Sequence, residues 1–267
     1  MLRPRIIPCL LVKDKGLVKT VNFKDPKYVG DPINAVKIFN EKQVDELIVL
    51  DIDATKENRG PDFKMIENLA VECRMPLCYG GGVTTVEQAK RIFGLGVEKV
   101  AISSAAVHDP GLVSRIAEQV GSQSAIVVID VRKNPSGKYE IWTHNATQNT
   151  EKDPIEFAQQ MEKLGVGEIV VNSIDNDGVM KGYDHILVNN IRQAVSVPLT
   201  VLGGAGSLKD IGQMIANHGI IGIAAGSLFV FKGIYKAVLI NYPNPEKKNE
   251  MIKENYPDFN TLINITG

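Results

Sequence analysis

The sequence predicts an α/β fold, a closed (βα)8 TIM barrel built from two (βα)4 half-barrels. Apolar, β-branched runs alternate eight times with stretches of helical period. The second half of the chain also repeats the first. Val44–Thr84, "VDELIVLDIDATKENRG…MPLCYGGGVT", aligns without a gap on Val166–Gly206, "VGEIVVNSIDNDGVMKG…VPLTVLGGAG", at an offset of 122 residues. Asp31-Pro32 recurs as Asp153-Pro154 at the same offset, and "AISSAAV" matches "AAGSLFV" after one inserted residue. A period of half the chain is too long for a solenoid. It describes two halves related by a pseudo-two-fold axis that close on each other. An open doubly wound sheet, the competing arrangement, gives no reason for such symmetry.

Strands are expected near Arg5–Val12, Asp45–Asp51, Pro76–Tyr79, Lys99–Ser103, Ala125–Asp130, Glu168–Asn172, Pro198–Leu202 and Gly219–Ala224. Helices are expected at Pro32–Lys42, Asp62–Cys73, Thr85–Gly94, Pro110–Val120, Pro154–Leu164, Asp184–Val195, Leu208–Asn217 and Leu228–Ile240. Asp31-Pro32 and Asp153-Pro154 read as an N-cap with proline in the first helical position. Two insertions follow the first and fifth strands. Asp14–Gly30 is a lysine-rich loop, and Asn134–Thr150 contains "SGKYEIWTH", a hairpin around a glycine turn. Both fall on the C-terminal face, where barrel active sites form and long loops serve as lids. The barrel is expected to occupy residues 1–241, followed by a polar C-terminal extension, 242–267, with one short helix and a frayed end.

Bulk composition narrows the function classes. The chain has 267 residues, 44% apolar, with net charge −1, which does not suggest nucleic-acid or anionic-membrane binding. No apolar run reaches the roughly 18 residues of a membrane span. The N-terminal "MLRPRIIPCLLV" is interrupted by Lys13-Asp14-Lys15 too early for a signal peptide, so a cytoplasmic protein is expected. Three cysteines argue against a disulfide framework, and "CRMPLC" lacks a CxxC pair. His108, His144, His185 and His218 are scattered, with neither metalloprotease nor triad spacing. Asn145 and Asn264 each head a glycosylation triplet, a pattern too short and common to weigh here. Neither a metal nor a cofactor is expected.

The chemistry is expected at the strand ends. Gly80-Gly81-Gly82 and Gly203-Gly204-Ala205-Gly206 follow strands three and seven, while Ser103-Ser104 and Gly226-Ser227 end strands four and eight. Glycine turns let backbone N–H groups approach an anion closely. Two symmetric copies, each paired with a hydroxyl, imply two phosphate sites at opposite rims and a ligand carrying a phosphate at each end. "DNDG", Asp175 to Gly178, ends strand six near the second site. Asp51, Asp130 and Asp175 are carboxylates that can reach the mouth. Asp130 is the best acid–base candidate, and Asp51 reads equally well as structural. At the opposite face Arg5, Glu46, Lys99 and Glu168 begin strands one, two, four and six. They are either solvated strand ends or a salt-bridged ring.

Together "RIIPCL", "NF" with "GDP", "DELIVLDI", "GGG", "GSQSAIVVID", "GEIVV", "SIDNDG…GYD" and "GGAG" make residues 1–240 resemble the HisF family, the cyclase subunit of imidazole glycerol phosphate synthase. The resemblance implies work with a HisH-type glutaminase as a heterodimer. Ammonia enters at the barrel bottom, passes a charged gate and reaches a bisphosphate ribulosyl substrate at the top. It implies a gate at Arg5, Glu46, Lys99 and Glu168. Phosphate contacts fall at Gly82, Ser103 and Ser104 on one side, and at Asp177, Gly178, Gly204, Gly226 and Ser227 on the other; Lys19 matches the loop-one lysine.

One departure bears on function. The family's cyclisation uses aspartates at the ends of strands one and five. Asp130 matches the second, and Leu11 stands where the first belongs. Position 103 is Ser where the family usually has Asn, and Asp14 lies beyond the strand. General acid–base help is worth roughly 10²–10⁴-fold, so its loss should nearly stop ring closure and leave ammonia conduction intact. This pattern resembles the divergent HisF-like paralogues that act with a glutaminase and a sugar amidotransferase to form acetamidino groups on nucleotide-activated or surface-polysaccharide sugars. The alternatives are a working cyclase subunit of histidine biosynthesis and a non-catalytic scaffold for the glutaminase.

Overall fold

The computed structural model describes residues 3–256. Its elements in chain order are β1 (Arg5–Lys13), β2 (Gly16–Val21), β3 (Lys24–Gly30), α1 (Pro32–Glu41), β4 (Leu47–Asp51), α2 (Phe63–Glu72), β5 (Leu77–Gly80), α3 (Val86–Gly94), β6 (Lys99–Ile102), α4 (Ser104–His108), α5 (Gly111–Val120) and β7 (Ala125–Lys133). The second half follows with β8 (Tyr139–Thr143), β9 (Gln148–Asn149), α6 (Pro154–Lys163), β10 (Glu168–Ser173), α7 (His185–Ala194), β11 (Leu199–Leu202), α8 (Leu208–His218), β12 (Gly222–Ala225), α9 (Ser227–Val230), β13 (Phe231–Lys232), β14 (Ala237–Val238) and α10 (Pro245–Asn255).

Eight of these strands, β1, β4, β5, β6, β7, β10, β11 and β12, pair in parallel with both neighbours, and β12 returns to β1. The sheet is therefore a closed TIM barrel, as the repeat predicts. Alternate side chains point to opposite faces of a strand. Ile7, Ile48, Cys78, Ala101, Ile126, Val170 and Ala224 pack inside. Ile6, Leu47, Val100 and Ile169 pack in the separate cluster that contains Phe39, Ile66, Ile116 and Ile215 of the helices. Each such aliphatic burial is worth about 1.5–3 kcal/mol. The predicted caps hold: the Asp31 carboxylate accepts from the Asn34 N–H, and Asp153 accepts from the Ile155 and Glu156 N–H groups. Both insertions are hairpins that extend barrel strands. β2 runs antiparallel to β1 and to β3, and β8 runs antiparallel to β7.

Two expectations need correction. The eighth barrel strand starts at Gly222 rather than Gly219, because Gly219 (φ 62°) ends α8 and Ile220 is exposed. The helix expected over Leu228–Ile240 is instead the four-residue α9 followed by the β13–β14 hairpin. Its apolar spacing suggests a helix, but Gly233 and Lys236 turn the chain back at φ 74° and 48°. The Asn241 carboxamide then ties the base of the hairpin to the carbonyls of Leu228, Phe231 and Leu239. The helix that packs on α8 is α10, capped by Asn244, and it sends Met251 and Ile252 into the core. Buried Lys248 donates to Asp45 at 2.7 Å, and the Tyr242 hydroxyl donates to the Ile6 carbonyl at 2.9 Å. Residues 257–267, the frayed end of the expected extension, lie outside the described residues. No helix among the described residues is long and apolar enough to cross a membrane.

Candidate functional site

One cavity at the C-terminal mouth of the barrel gathers Lys19, Gly82, Ser103, Ser104, Asp130, Asp177, Gly178, Gly204, Gly226 and Ser227, with Leu11 in its wall. β7 carries Asp130 to this mouth, beside Asn172 on the neighbouring strand. Asn172 Nδ2 donates to Asp130 Oδ1 at 2.9 Å, and Ser103 Oγ to Oδ2 at 3.3 Å. Burial pushes the Asp130 carboxyl up to about 6, against the two hydrogen bonds that favour its charged form. That range suits a group that exchanges a proton near neutrality.

Opposite this acid the site offers no partner at position 11. Leu11 sits on β1 between Leu50 of β4 and Val18 of β2, and it packs with Leu50 against the apolar barrel interior. The other carboxylates lining the cavity are already engaged. Asp51 Oδ1 accepts the Asp53 and Ala54 N–H groups of its own turn, and Oδ2 faces Arg59 at 3.4 Å. Asp51 is thus held by its own turn. Asp177 accepts from Thr20 Oγ1 at 2.8 Å. Asp14 lies outside the cavity wall, near Lys13, whose ammonium pairs with Asp53 at 2.7 Å. Asp175 also turns away, accepting from the Lys133 N–H and facing Arg132.

The lysine-rich insertion is folded down over the mouth. Asn22 N–H donates to the Asp177 carbonyl, and the Asn22 carboxamide to the carbonyls of Ile174 and Asp175. This places Lys19 inside the cavity, 5% exposed, with Nζ donating to the Cys9 carbonyl at 2.6 Å. Burial pulls its pKa down, and Asp177 pulls the other way. A Cβ at Gly226 would lie 2.5 Å from Lys19 Nζ, so the bare glycine leaves room for the cation. The Gly-rich turns after β5 and β11 flank the same cavity. Their glycines also serve packing: a Cβ would meet the Arg59 carbonyl at 2.5 Å from Gly82 and the Gly182 carbonyl at 2.1 Å from Gly204.

At the other end of the barrel the four charges form a closed ring. Arg5 pairs with Glu46 and, at 2.6 Å, with Glu168. Lys99 Nζ lies 2.8 Å from Glu46 and 2.9 Å from Glu168. These are not independent solvated strand ends. Burial alone would push the Glu168 carboxyl up, but Arg5 and Lys99 hold it below its ordinary value. Thr200, also in the ring, donates to Glu168. The space over Gly222 is taken by Thr200 Oγ1 and the Arg5 guanidinium, 1.8 and 3.0 Å from an added Cβ. Between ring and mouth the interior is apolar. Sequence reasoning missed Asn172, Thr200 and Thr20. The available signal for Asn172 and Thr200 was a polar residue beside or within an apolar run, "VVN" and "LTVL"; Thr20, next to Lys19, offered no such signal.

The family model described as "Histidine biosynthesis protein" matches residues 5–236. A protein of Vibrio vulnificus (strain YJ016), "Putative imidazole glycerol phosphate synthase subunit hisF3", is 57% identical over 95% of this chain and 98% of its own length. The chain belongs to the HisF family. Within it, a Pseudomonas aeruginosa protein, "Putative imidazole glycerol phosphate synthase subunit hisF2", is 55% identical over 92% of this chain and 98% of its own length. The "Imidazole glycerol phosphate synthase subunit HisF" of Hyphomonas neptunium is 42% identical over 86% and 91%. As a HisF-family barrel, the chain carries its polar cavity at the mouth and its charged ring at the base.

Proposed function

We propose that this HisF-type chain is the ammonia-receiving subunit of a glutamine amidotransferase that amidates a sugar. A HisH-type glutaminase releases ammonia below the ring of Arg5, Glu46, Lys99 and Glu168. Neutral ammonia crosses the apolar interior, where an ammonium ion would bear the cost of burying a charge. It leaves at the mouth for a sugar amidotransferase. Gly82, Ser103 and Ser104, and opposite them Asp177, Gly178, Gly204, Gly226 and Ser227 with Lys19 over Gly226, hold a phosphorylated ligand.

The observation that carries this reading is Leu11. Its neighbours are Leu50 and Val18, and the other cavity carboxylates, Asp51 and Asp177, are held by their own partners. Asp130 therefore has no second proton-transfer group at the position where the family's ring closure needs one. The chain is purified and given the family's bisphosphate ribulosyl substrate with ammonium salt. Almost no imidazole product is expected, and brisk turnover would sink the reading. A second reading, a cyclase subunit of histidine biosynthesis, draws on Asp130, with its carboxyl near 6, and on the glycine turns and hydroxyls that line the same cavity. Lys99→Leu provides a check on relay. It should uncouple glutaminase from amination, whereas a mere scaffold would be indifferent.

A further inference from the structure

The β13–β14 hairpin stands on the mouth side, because α9 leads into it directly from Gly226 and Ser227 at the cavity wall. Among the described residues ten large apolar side chains are exposed, and four fall within six consecutive positions here. Ile234 and Tyr235 at the tip are 88% and 90% exposed, with Val238 at 46% and Leu239 at 50%. Ile38, Val71 and Ile186 stand singly on outer helices, which is ordinary for a protein surface. Tight turns favour Gly, Asn and Asp, so an Ile-Tyr tip does not arise from turn geometry. These side chains gain free energy only by burial against another molecule.

The surrounding charge selects the occupant. Lys232 and Lys236 flank the tip, and Lys24 and Lys27 are exposed on the neighbouring hairpin, with the Lys27 ammonium 5.8 Å from the Phe231 ring centroid. Asp25 is the one acid in residues 24–28 and 231–239. An apolar knob with a tyrosine anchor inside a cationic rim fits an apolar socket edged by carboxylates. We propose that this hairpin is the docking point for the enzyme that takes the ammonia and attaches it to the acceptor sugar. The inference rests on the relay reading. It puts the accepting enzyme at the mouth, opposite the ring, so the glutaminase and the acceptor enzyme bind at different ends.

The test uses the purified chain, a HisH-type glutaminase and the proposed sugar amidotransferase. Ile234→Glu with Tyr235→Glu should weaken binding to the amidotransferase by at least about 30-fold. Glutaminase binding and melting temperature should not change, because both side chains are exposed. Lys232→Glu with Lys236→Glu should also weaken binding and flatten its salt dependence. Undiminished affinity in the tip variant overturns the proposal. So does tip-dependent dimerisation of the chain in sedimentation, or tip-dependent binding to phosphatidylglycerol vesicles. Brisk imidazole formation would sink the relay reading however the hairpin behaves. Retained binding in the tip variant without imidazole formation would sink this inference alone.

Discussion

Glu168→Gln is the sharpest probe of the charged ring. Glu168 accepts from both Arg5 and Lys99 and from Thr200, and it is 5% exposed. The amide keeps the shape and removes the charge, leaving Glu46 alone between two cations. Removing one partner of a buried ion pair costs about 3–5 kcal/mol. For a chain of this size each kcal/mol moves the melting temperature by about 2–4 °C, so a drop of roughly 6–20 °C at pH 7 is expected by circular dichroism. The deficit should also depend on pH. The folded Glu168 carboxyl lies below its ordinary 4.5, so its contribution is present above that value and lost as pH falls through the folded pKa. Wild type and variant should therefore converge in acid. A variant melting within about 2 °C of wild type at pH 7, or a deficit unchanged in acid, would refute the ring as a coupled unit.

Other perturbations address the mouth. Leu11→Asp restores a carboxyl opposite Asp130, and imidazole formation should rise from the wild-type baseline, by at most the roughly 10²–10⁴-fold typical of general acid–base help. Equal rates in both proteins would show that position 11 does not limit the reaction. Asp130 has the opposite linkage to Glu168. Its folded pKa, about 6, exceeds the ordinary 3.8, so stability is lost as pH rises from 3.8 to 6 and the full cost is carried above 6. Asp130→Asn should stabilise the fold at pH 8 by up to about 3 kcal/mol, with the gain fading as pH falls from 6 and gone below 3.8. Carboxyl carbon NMR should place the wild-type midpoint near 6. Gly226→Ala brings a Cβ to 2.5 Å from Lys19 Nζ, so the lysine must move, and protection by inorganic phosphate in thermal shift should fall.

Much of the fold was legible because two periodicities agreed. The eightfold alternation of apolar runs with helical stretches and the 122-residue repeat both pointed to a closed barrel. The eighth helix was not legible. Leu228, Val230, Phe231 and Ile234 have helical spacing, yet the chain reverses at Gly233 and Lys236. A short apolar run does not distinguish a helix from a hairpin. At the site, single residues such as Asp130, Leu11 and Lys19 could be read because the half-barrel copy and the family pattern gave them a reference. The hydrogen bonds from Asn172 and Thr200 could not, since each depends on a neighbouring strand far away in sequence.

Gly222 has a consequence for how the two halves can evolve. The repeat sets Glu168 against Glu46 and, after its inserted residue, Gly222 against Lys99. The second half thus brings an acid but no lysine to the base, and Arg5 of the first strand fills the room over Gly222. A homodimer made of second halves alone would bring together two like charges without a counterion. The modern halves are no longer interchangeable, and any engineered re-duplication would have to restore a cation where Gly222 now stands.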